Sequence, residues 1–226
     1  MNLNKRLSAV MSMVRENSRA ADIGSDHAHL PVVLIQSGRC PSVIATDIIE
    51  GPVASAKRTV ERTGLADRID VRLGDGLAPV QPDEVDDILI AGMGGENIVG
   101  ILRAAPWLKN KKYHLVLQPQ SRPEVLREYL LTNGFDIETE CSVTDHGHHY
   151  LVLSARYTNA TAVTDVYTYY VGKLTPQNDR AYLEWQLRRL TKKANGLKHD
   201  DQTQEAVEFE QIAAKLDAFL KSEETI

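Results

Sequence analysis

Apolar residues at Leu3, Leu7, Val10, Met11 and Val14 recur at the spacing of a single helical face. A strand-like run over 19–23 follows and stops at Gly24. Leu30 to Ile35 then form an apolar helical segment, with Pro31 near its start and Ser37-Gly38 past its end. The alternation repeats. Val43 to Asp47 predicts a second strand, and Val53, Ala56 and Val60 predict a helix with Pro52 in its first turn and Gly64 as its stop. Ile69 to Leu73 and Ile88 to Ile90 predict the third and fourth strands, and Ile98, Ile101 and Leu102 mark the next helix. His114 to Leu117 reads as a fifth strand, and Pro123 opens a helix carrying Val125, Leu126, Tyr129 and Leu130 that ends at Asn133-Gly134. Phe135 to Val143 and Tyr150 to Ala155 close the series as a strand pair.

Strands alternating with helices of this length imply right-handed crossovers and a mainly parallel α/β sheet. The last two strands are joined by about six residues, His146-Gly147 among them, too few for a crossover, so they form an antiparallel hairpin. Five parallel strands followed by such a hairpin make the seven-stranded Rossmann-like plan of methyltransferases rather than that of dehydrogenases. Beyond about residue 160 the period changes. Leu183, Leu187, Leu190, Ala194 and Leu197 form one seam of period 3.5, and Ala206, Phe209, Ala213, Leu216 and Leu220 form a second. These predict two antiparallel helices zipped as a coiled-coil hairpin, starting at Thr175-Pro176 and leaning on the main domain.

The 226 residues are 42% hydrophobic and 25% charged, enough to bury a sizeable core. No run of eighteen apolar residues is present, and the N-terminus lacks the uninterrupted apolar core of a signal peptide. With 26 basic and 31 acidic residues the net charge is −5, which argues against an arm that grips nucleic acid by bulk charge but leaves room for a local basic patch. Cys40 and Cys141 fit neither a disulfide framework nor a structural zinc site. The chain reads as cytoplasmic, with no metal and no membrane partner.

The candidate chemistry lies at the strand-to-helix turns, where ligands bind in an open α/β sheet. The first turn reads Asp22-Ile23-Gly24-Ser25-Asp26-His27. It is not G-x-G-x-x-G, and Asp26 would repel a pyrophosphate. A ligand with a cationic amino-acid end, as in S-adenosylmethionine, suits Asp22 and Asp26 better. Asp47 closes the second strand, where an acid commonly accepts both ribose hydroxyls, and Ile48 beside it joins the candidate cofactor residues. The alternative for Asp47 is a cap on the Pro52 helix. Asp75-Gly76 after the third strand can accept an adenine amine, or it is a plain turn. Gly92, Met93, Gly94 and Gly95 leave the fourth strand as a loop, and so glycine-rich a loop suits close approach of a cofactor and an acceptor.

D-I-G-S-D-H-A, A-G-M-G-G and the strand end L-Q-P at Leu117 to Pro119 together resemble the bacterial TrmK family, the tRNA (adenine-22-N1)-methyltransferases. The resemblance implies a class I methyltransferase domain over 1–160, a C-terminal coiled-coil domain over 161–226, S-adenosylmethionine as cofactor and tRNA as substrate. By position it assigns Asp22, Gly24, Asp26 and His27 to the first motif, Asp47, Asp75 and Gly76 to ribose and adenine, and Gly92 to Gly95 to the active-site loop. His29 stands where the family pattern has Tyr, at a position suited to target binding. Adenine N1 is nucleophilic when neutral, so the expected catalytic groups are those that stabilise the charged product and take its N6 proton: Asp26 first, His27 second. Lys5, Arg6 and Arg15 on the first helix and Arg188, Arg189, Lys192 and Lys193 on the first hairpin helix are the candidate RNA contacts. The second cluster has an alternative as a solvated flank paired with Glu205, Glu208, Glu210 and Asp217. A small-molecule or protein methyltransferase, or a noncatalytic RNA-binding module, are the competing readings. Asp145-His146-Gly147-His148-His149 reads as a polar hairpin tip rather than a metal cluster, and Trp107 and Trp185 as packing anchors.

Overall fold

The computed structural model describes residues 3–160, 165–199 and 203–222. Its strands are β1 (Ala20–Ile23), β2 (Val43–Asp47), β3 (Ile69–Leu73), β4 (Asp87–Gly94), β5 (His114–Ser121), β6 (Phe135–Asp145) and β7 (His148–Tyr157). Its helices are α1 (Lys5–Met13), α2 (His29–Gln36), α3 (Glu50–Thr63), α4 (Gly95–Ala104), α5 (Pro123–Thr132), α6 (Val166–Val171), α7 (Pro176–His199) and α8 (Thr203–Ser222). One sheet has the order β3-β2-β1-β4-β5-β7-β6, and β7 runs antiparallel to both its neighbours.

Alternate residues of each strand feed two separate cores. Ala21, Ile23, Ile88, Ile90, Leu115 and Leu117 face α4, α5 and the C-terminal helices. Ala20, Val43, Leu89 and Val116 face α1, α2 and α3. Two-sided burial explains why the central strands read as continuous apolar runs.

Two expectations need correction, and one element is additional. The glycine-rich segment after Ile90 is not a loop: β4 continues through Gly94, and Gly95 already opens α4. The register against β5 shifts on either side of Met93, with Gly92 at φ +84°, so the segment is an irregular strand end rather than a linker. The β6–β7 connection is two residues, not six. His146 and Gly147 both have positive φ, as a tight primed turn requires, and the strands extend to meet them. Finally, α6 precedes the hairpin; its six residues are too few to show a helical period.

The seams in α7 and α8 pack as expected, with Leu183, Leu190, Ala194, Ala206, Phe209, Ala213, Leu216 and Leu220 buried. These helices share a hydrophobic core with one face of the sheet. A polar clamp holds them there. Arg127 and Glu140, with fully buried side chains, pair at 2.7 Å. The same guanidinium donates to the carbonyls of Tyr169 (2.9 Å) and Tyr170 (3.1 Å), the otherwise unpaired end of α6. Gly172, at φ +64°, ends α6 where a Cβ would fall 2.0 Å from Glu140 Oε2. Asp179 completes the joint by accepting from the backbone and side chain of Ser142, at 2.7 and 2.8 Å. Breaking a buried pair leaves one charge uncompensated. Arg127→Leu should therefore cost about 3–5 kcal/mol in urea denaturation, and Arg127→Leu with Glu140→Leu should cost less than the single change.

Candidate active site

The sheet's strand order reverses between β1 and β4, and a cleft opens there at the carboxyl ends. Arg6, Asp22, Gly24, Asp26, His27, His29 and Ala91 line it. Gly24, at φ +74°, turns the chain out of β1, and its amide and that of Ser25 both donate to the Thr46 carbonyl. Asp26 and Ala28 follow at φ +51° and +55°. Two left-handed non-glycine residues in one short turn are held by their surroundings at a conformational cost. Here the Asp26 amide donates to Asp47 Oδ2 at 3.3 Å, while Asp47 Oδ1 accepts from Ile49 N at 3.0 Å. Asp47 thus ties the turn after β1 to the turn after β2. It caps neighbouring amides, but the N-cap of α3 itself is Ile49.

Asp22 and Asp26 sit in opposite environments. Asp22 is 5% exposed. Burial pushes its carboxyl up to about 6, opposed by the Ser25 hydroxyl, which donates at 2.6 Å, and by the Arg6 charge. A carboxylate so desolvated gains strongly from a cation brought beside it. Asp26, by contrast, has a 65% exposed side chain 3.5 Å from His27 Nε2. The His27 ring is held from its other nitrogen by Ser55 Oγ, 2.7 Å from Nδ1, and stacks on His29 at 5.5 Å.

On the β4 side the organiser is Gln118, fully buried within β5. Its Oε1 accepts from Arg6 Nη1 at 2.7 Å and from Gly92 N at 3.0 Å, and its amide donates to the Pro119 carbonyl at 2.9 Å. Arg6 therefore lies over Gly92, where a Cβ would stand 3.2 Å from Nη1, and its guanidinium also sits 5.8 Å from the Tyr150 ring centre. Met93 reaches across to Gly24, where a Cβ would meet its Cε at 2.3 Å. In the sequence Gln118 stands only as the middle of the strand end L-Q-P. Its role depends on partners 26 and 112 positions away, so no local pattern marks it.

Farther along the edge, Asp75 is exposed in a turn and Gly76, at φ +53°, accepts from the Thr46 hydroxyl through its carbonyl. Ile48 (62% exposed) and Leu73 (50% exposed) flank Asp47 and offer a flat apolar surface beside these acids.

Several candidates lie elsewhere. Arg15 is at the opposite edge, where its guanidinium and amide grip the buried Asp87 at 2.7 and 2.9 Å, so its expected contact with RNA is withdrawn. Gly95 is buried, and a Cβ there would fall 2.2 Å from the Arg122 carbonyl. Its glycine serves helix packing, not substrate approach. Gly94 is the N-cap of α4. Lys5 is exposed at the start of α1. Arg188, Arg189, Lys192 and Lys193 are exposed on α7. Lys193 meets Glu205 at 3.6 Å and the Phe209 ring at 3.9 Å, so the paired-flank alternative holds for that lysine. Trp185 packs against Tyr182 and His149 under the Arg189 guanidinium, and Trp107 packs edge-on to Tyr113, as anchors should. Among the described residues no group of His, Cys, Asp and Glu could hold a metal ion. Burial pushes the Cys40 thiol up to about 11, against nucleophilic use.

This strand order, with a lone reversed strand and acids at successive carboxyl ends, defines a class I methyltransferase domain. In line with that, the family described as "Methyltransferase domain" matches residues 3–153. The tRNA (adenine(22)-N(1))-methyltransferase of Bacillus subtilis (strain 168) is 38% identical over 172 residues, 76% of this chain and 72% of that protein. The crystal structure of the B. subtilis M1A22 tRNA methyltransferase TrmK superposes with a TM-score of 0.82 at 31% identity, over 98% of each chain. Streptococcus pneumoniae Sp1610, solved in complex with S-adenosyl-L-methionine, gives a TM-score of 0.81 at 32% identity over 95% of this chain and 99% of that one. The chain belongs to the bacterial TrmK family of tRNA methyltransferases.

Two outcomes follow from the geometry. Because Asp22 holds its proton more tightly folded than unfolded, its contribution to stability falls as pH rises from about 4 to about 6 and stays low above that. Asp22→Asn should remove that loss, making the ligand-free protein up to about 3 kcal/mol more stable at pH 8 but little changed near pH 4, as read by denaturation at both values. Gln118→Leu should leave the Gly92 amide and the Arg6 guanidinium without their acceptor, costing about 1–3 kcal/mol and most of the turnover; a variant of unchanged melting temperature and rate would refute the hub.

Proposed function

We infer that the protein transfers a methyl group from S-adenosylmethionine to N1 of adenine 22 in tRNA, in the cytoplasm. The observation that carries this reading is the row Asp22, Asp47 and Asp75 along the carboxyl edge, beside the irregular end of β4, in a chain 38% identical to the B. subtilis enzyme of that activity.

The residues present fit the cofactor. The desolvated Asp22 suits its ammonium, the Asp47 carboxylate its ribose hydroxyls, and Ile48 with Asp75 and Gly76 its adenine. Gly24, Gly92 and Met93 leave backbone and a flexible side chain against its middle. When bound, it supplies an electrophilic methyl on a positively charged sulfur.

The chain's remaining tasks are orientation and charge. Adenine N1 needs no deprotonation before it attacks, so the main requirement is alignment at Gly92 to Gly94. Arg6, fixed by Gln118, borders that position together with Tyr150. Positive charge spreads over the ring as the N1–C bond forms. The exposed Asp26 carboxylate, on the cleft rim, stabilises that charge and accepts the N6 proton. His27, oriented by Ser55, supports Asp26. His29 supplies a planar face for the extruded base, whose unstacking costs a few kcal/mol. Lys5, Arg188, Arg189 and Lys192 hold phosphates outside the cleft.

The test is methylation of unmodified tRNA with labelled cofactor, followed by nucleoside analysis. 1-Methyladenosine should form with adenine at position 22 and not with guanine there. Asp26→Ala should lower turnover at least 100-fold, with cofactor affinity by calorimetry and melting temperature close to wild type. Near-normal turnover would remove Asp26 from the mechanism.

A further inference from the structure

One side of the cleft rim continues onto α3. His29 stacks on His27 with ring centres 5.5 Å apart, and His27 Nδ1 lies 2.7 Å from Ser55 Oγ on that helix. At roughly 100° per residue, Ser55, Arg58 and Arg62 fall within roughly 60° of one another around the helix axis. Arg58 stands about one turn beyond Ser55, and Arg62 about one turn beyond Arg58. The row therefore begins at the turn after β1 and runs away from it along α3. Val53, Ala56, Thr59 and Val60 take the buried side of the helix, and both arginines are exposed.

Both guanidiniums are uncommitted. Among the described residues neither has a hydrogen-bond or ion-pair partner, whereas Arg19, Arg72 and Arg122 each meet a carboxylate within 3.0 Å. Helix α2, which packs beside α3, carries no acid at all, and its exposed side chains are His29 and Gln36. Glu61 lies roughly 60° beyond Arg58 on the outer face of α3 and pairs with neither arginine. Like charges four positions apart on a helix repel. Holding two of them side by side, without an acid between, costs the free protein stability that a bound anion restores. About 6 Å separates their positions along the axis, too far for one carboxylate to serve both at short range. A polyanion laid along the helix meets both. The row also starts at the residues that flank the reacting base, and an RNA strand whose base lies in the cleft carries its phosphates out over the rim.

We propose that α3 holds the tRNA strand adjoining the target adenosine: with the base at His29, the backbone passes Ser55 and sets phosphates on Arg58 and Arg62. The proposal rests on the tRNA reading above and adds a second flank to it, so that the RNA is gripped on α3 as well as on α7. The test is filter binding of unmodified tRNA by the full-length protein over a range of salt concentrations. Arg58→Gln with Arg62→Gln should weaken binding about tenfold and flatten the slope of log affinity against log salt by about 1.5, the loss of two phosphate contacts. KM for tRNA should rise in step, while the rate at saturating tRNA, cofactor affinity by calorimetry and melting temperature stay close to wild type. Lys109→Gln with Lys111→Gln removes the same charge from exposed positions ahead of β5, at the amino edge, and should leave affinity and slope unchanged. The α3 contact is refuted by tRNA affinity within twofold of wild type in the arginine variant, by an unchanged salt slope, or by an equal loss in the lysine variant, which would mark an effect of net charge alone. Those failures would leave wild-type formation of 1-methyladenosine intact, whereas failure of the tRNA reading itself would abolish it.

Discussion

The return of the chain past β1 is the constraint on which the molecule depends. The first three strands build outward from β1 in one direction, and β4 must pair on its other side. The connections leaving β1 and β4 therefore lie on opposite faces, and no backbone fills the space between their carboxyl ends. Asp22, Gly24 and Gly92 meet there although they are up to seventy positions apart. The glycine-rich end of β4 bends through irregular register because it must form one wall of that space and still hand over directly to α4.

Two buried carboxylates show how the same fold treats structure and chemistry differently. Asp87, at the amino edge, is met by Arg15 and by His114, and these hold its carboxyl below the usual range despite burial. It is an anchor, and its stabilising effect is lost only as pH falls through that lowered value. Asp22, at the carboxyl edge, is met chiefly by a hydroxyl, and burial raises it to about 6. Its ionised form costs stability, a common exchange where a site must favour a cation. Arg127 with Glu140 belongs to the first kind, because every strong donor of the guanidinium has an acceptor.

The C-terminal helices are part of this arrangement rather than an attachment to it. Their apolar seams close on each other, while α6, Arg127 and Asp179 fix them to β6, β7 and α5. That places a cationic face of α7 beside the edge that holds the cleft. The joint thereby fixes that cationic face relative to the cleft, which a flexible tether could not do.

Apolar periodicity was sufficient for the element order, the parallel core, the terminal hairpin and the two seams, because these depend on which residues avoid water along a local period. Turn chemistry likewise marked Gly24, Asp47 and Asp75, since backbone conformation at a turn is a local matter. The partners of Gln118, the separation of Arg15 from Arg6, and the packing role of Gly95 lay beyond that reach. Each depends on atoms brought together from distant segments: Arg6 stands in the first turn of α1 and Arg15 just past its end, yet one faces the cleft and the other reaches the far edge. Side-chain direction and desolvation exist only once strands are paired and helices packed, so it was tertiary structure that decided which charges are anchors and which are left for a ligand.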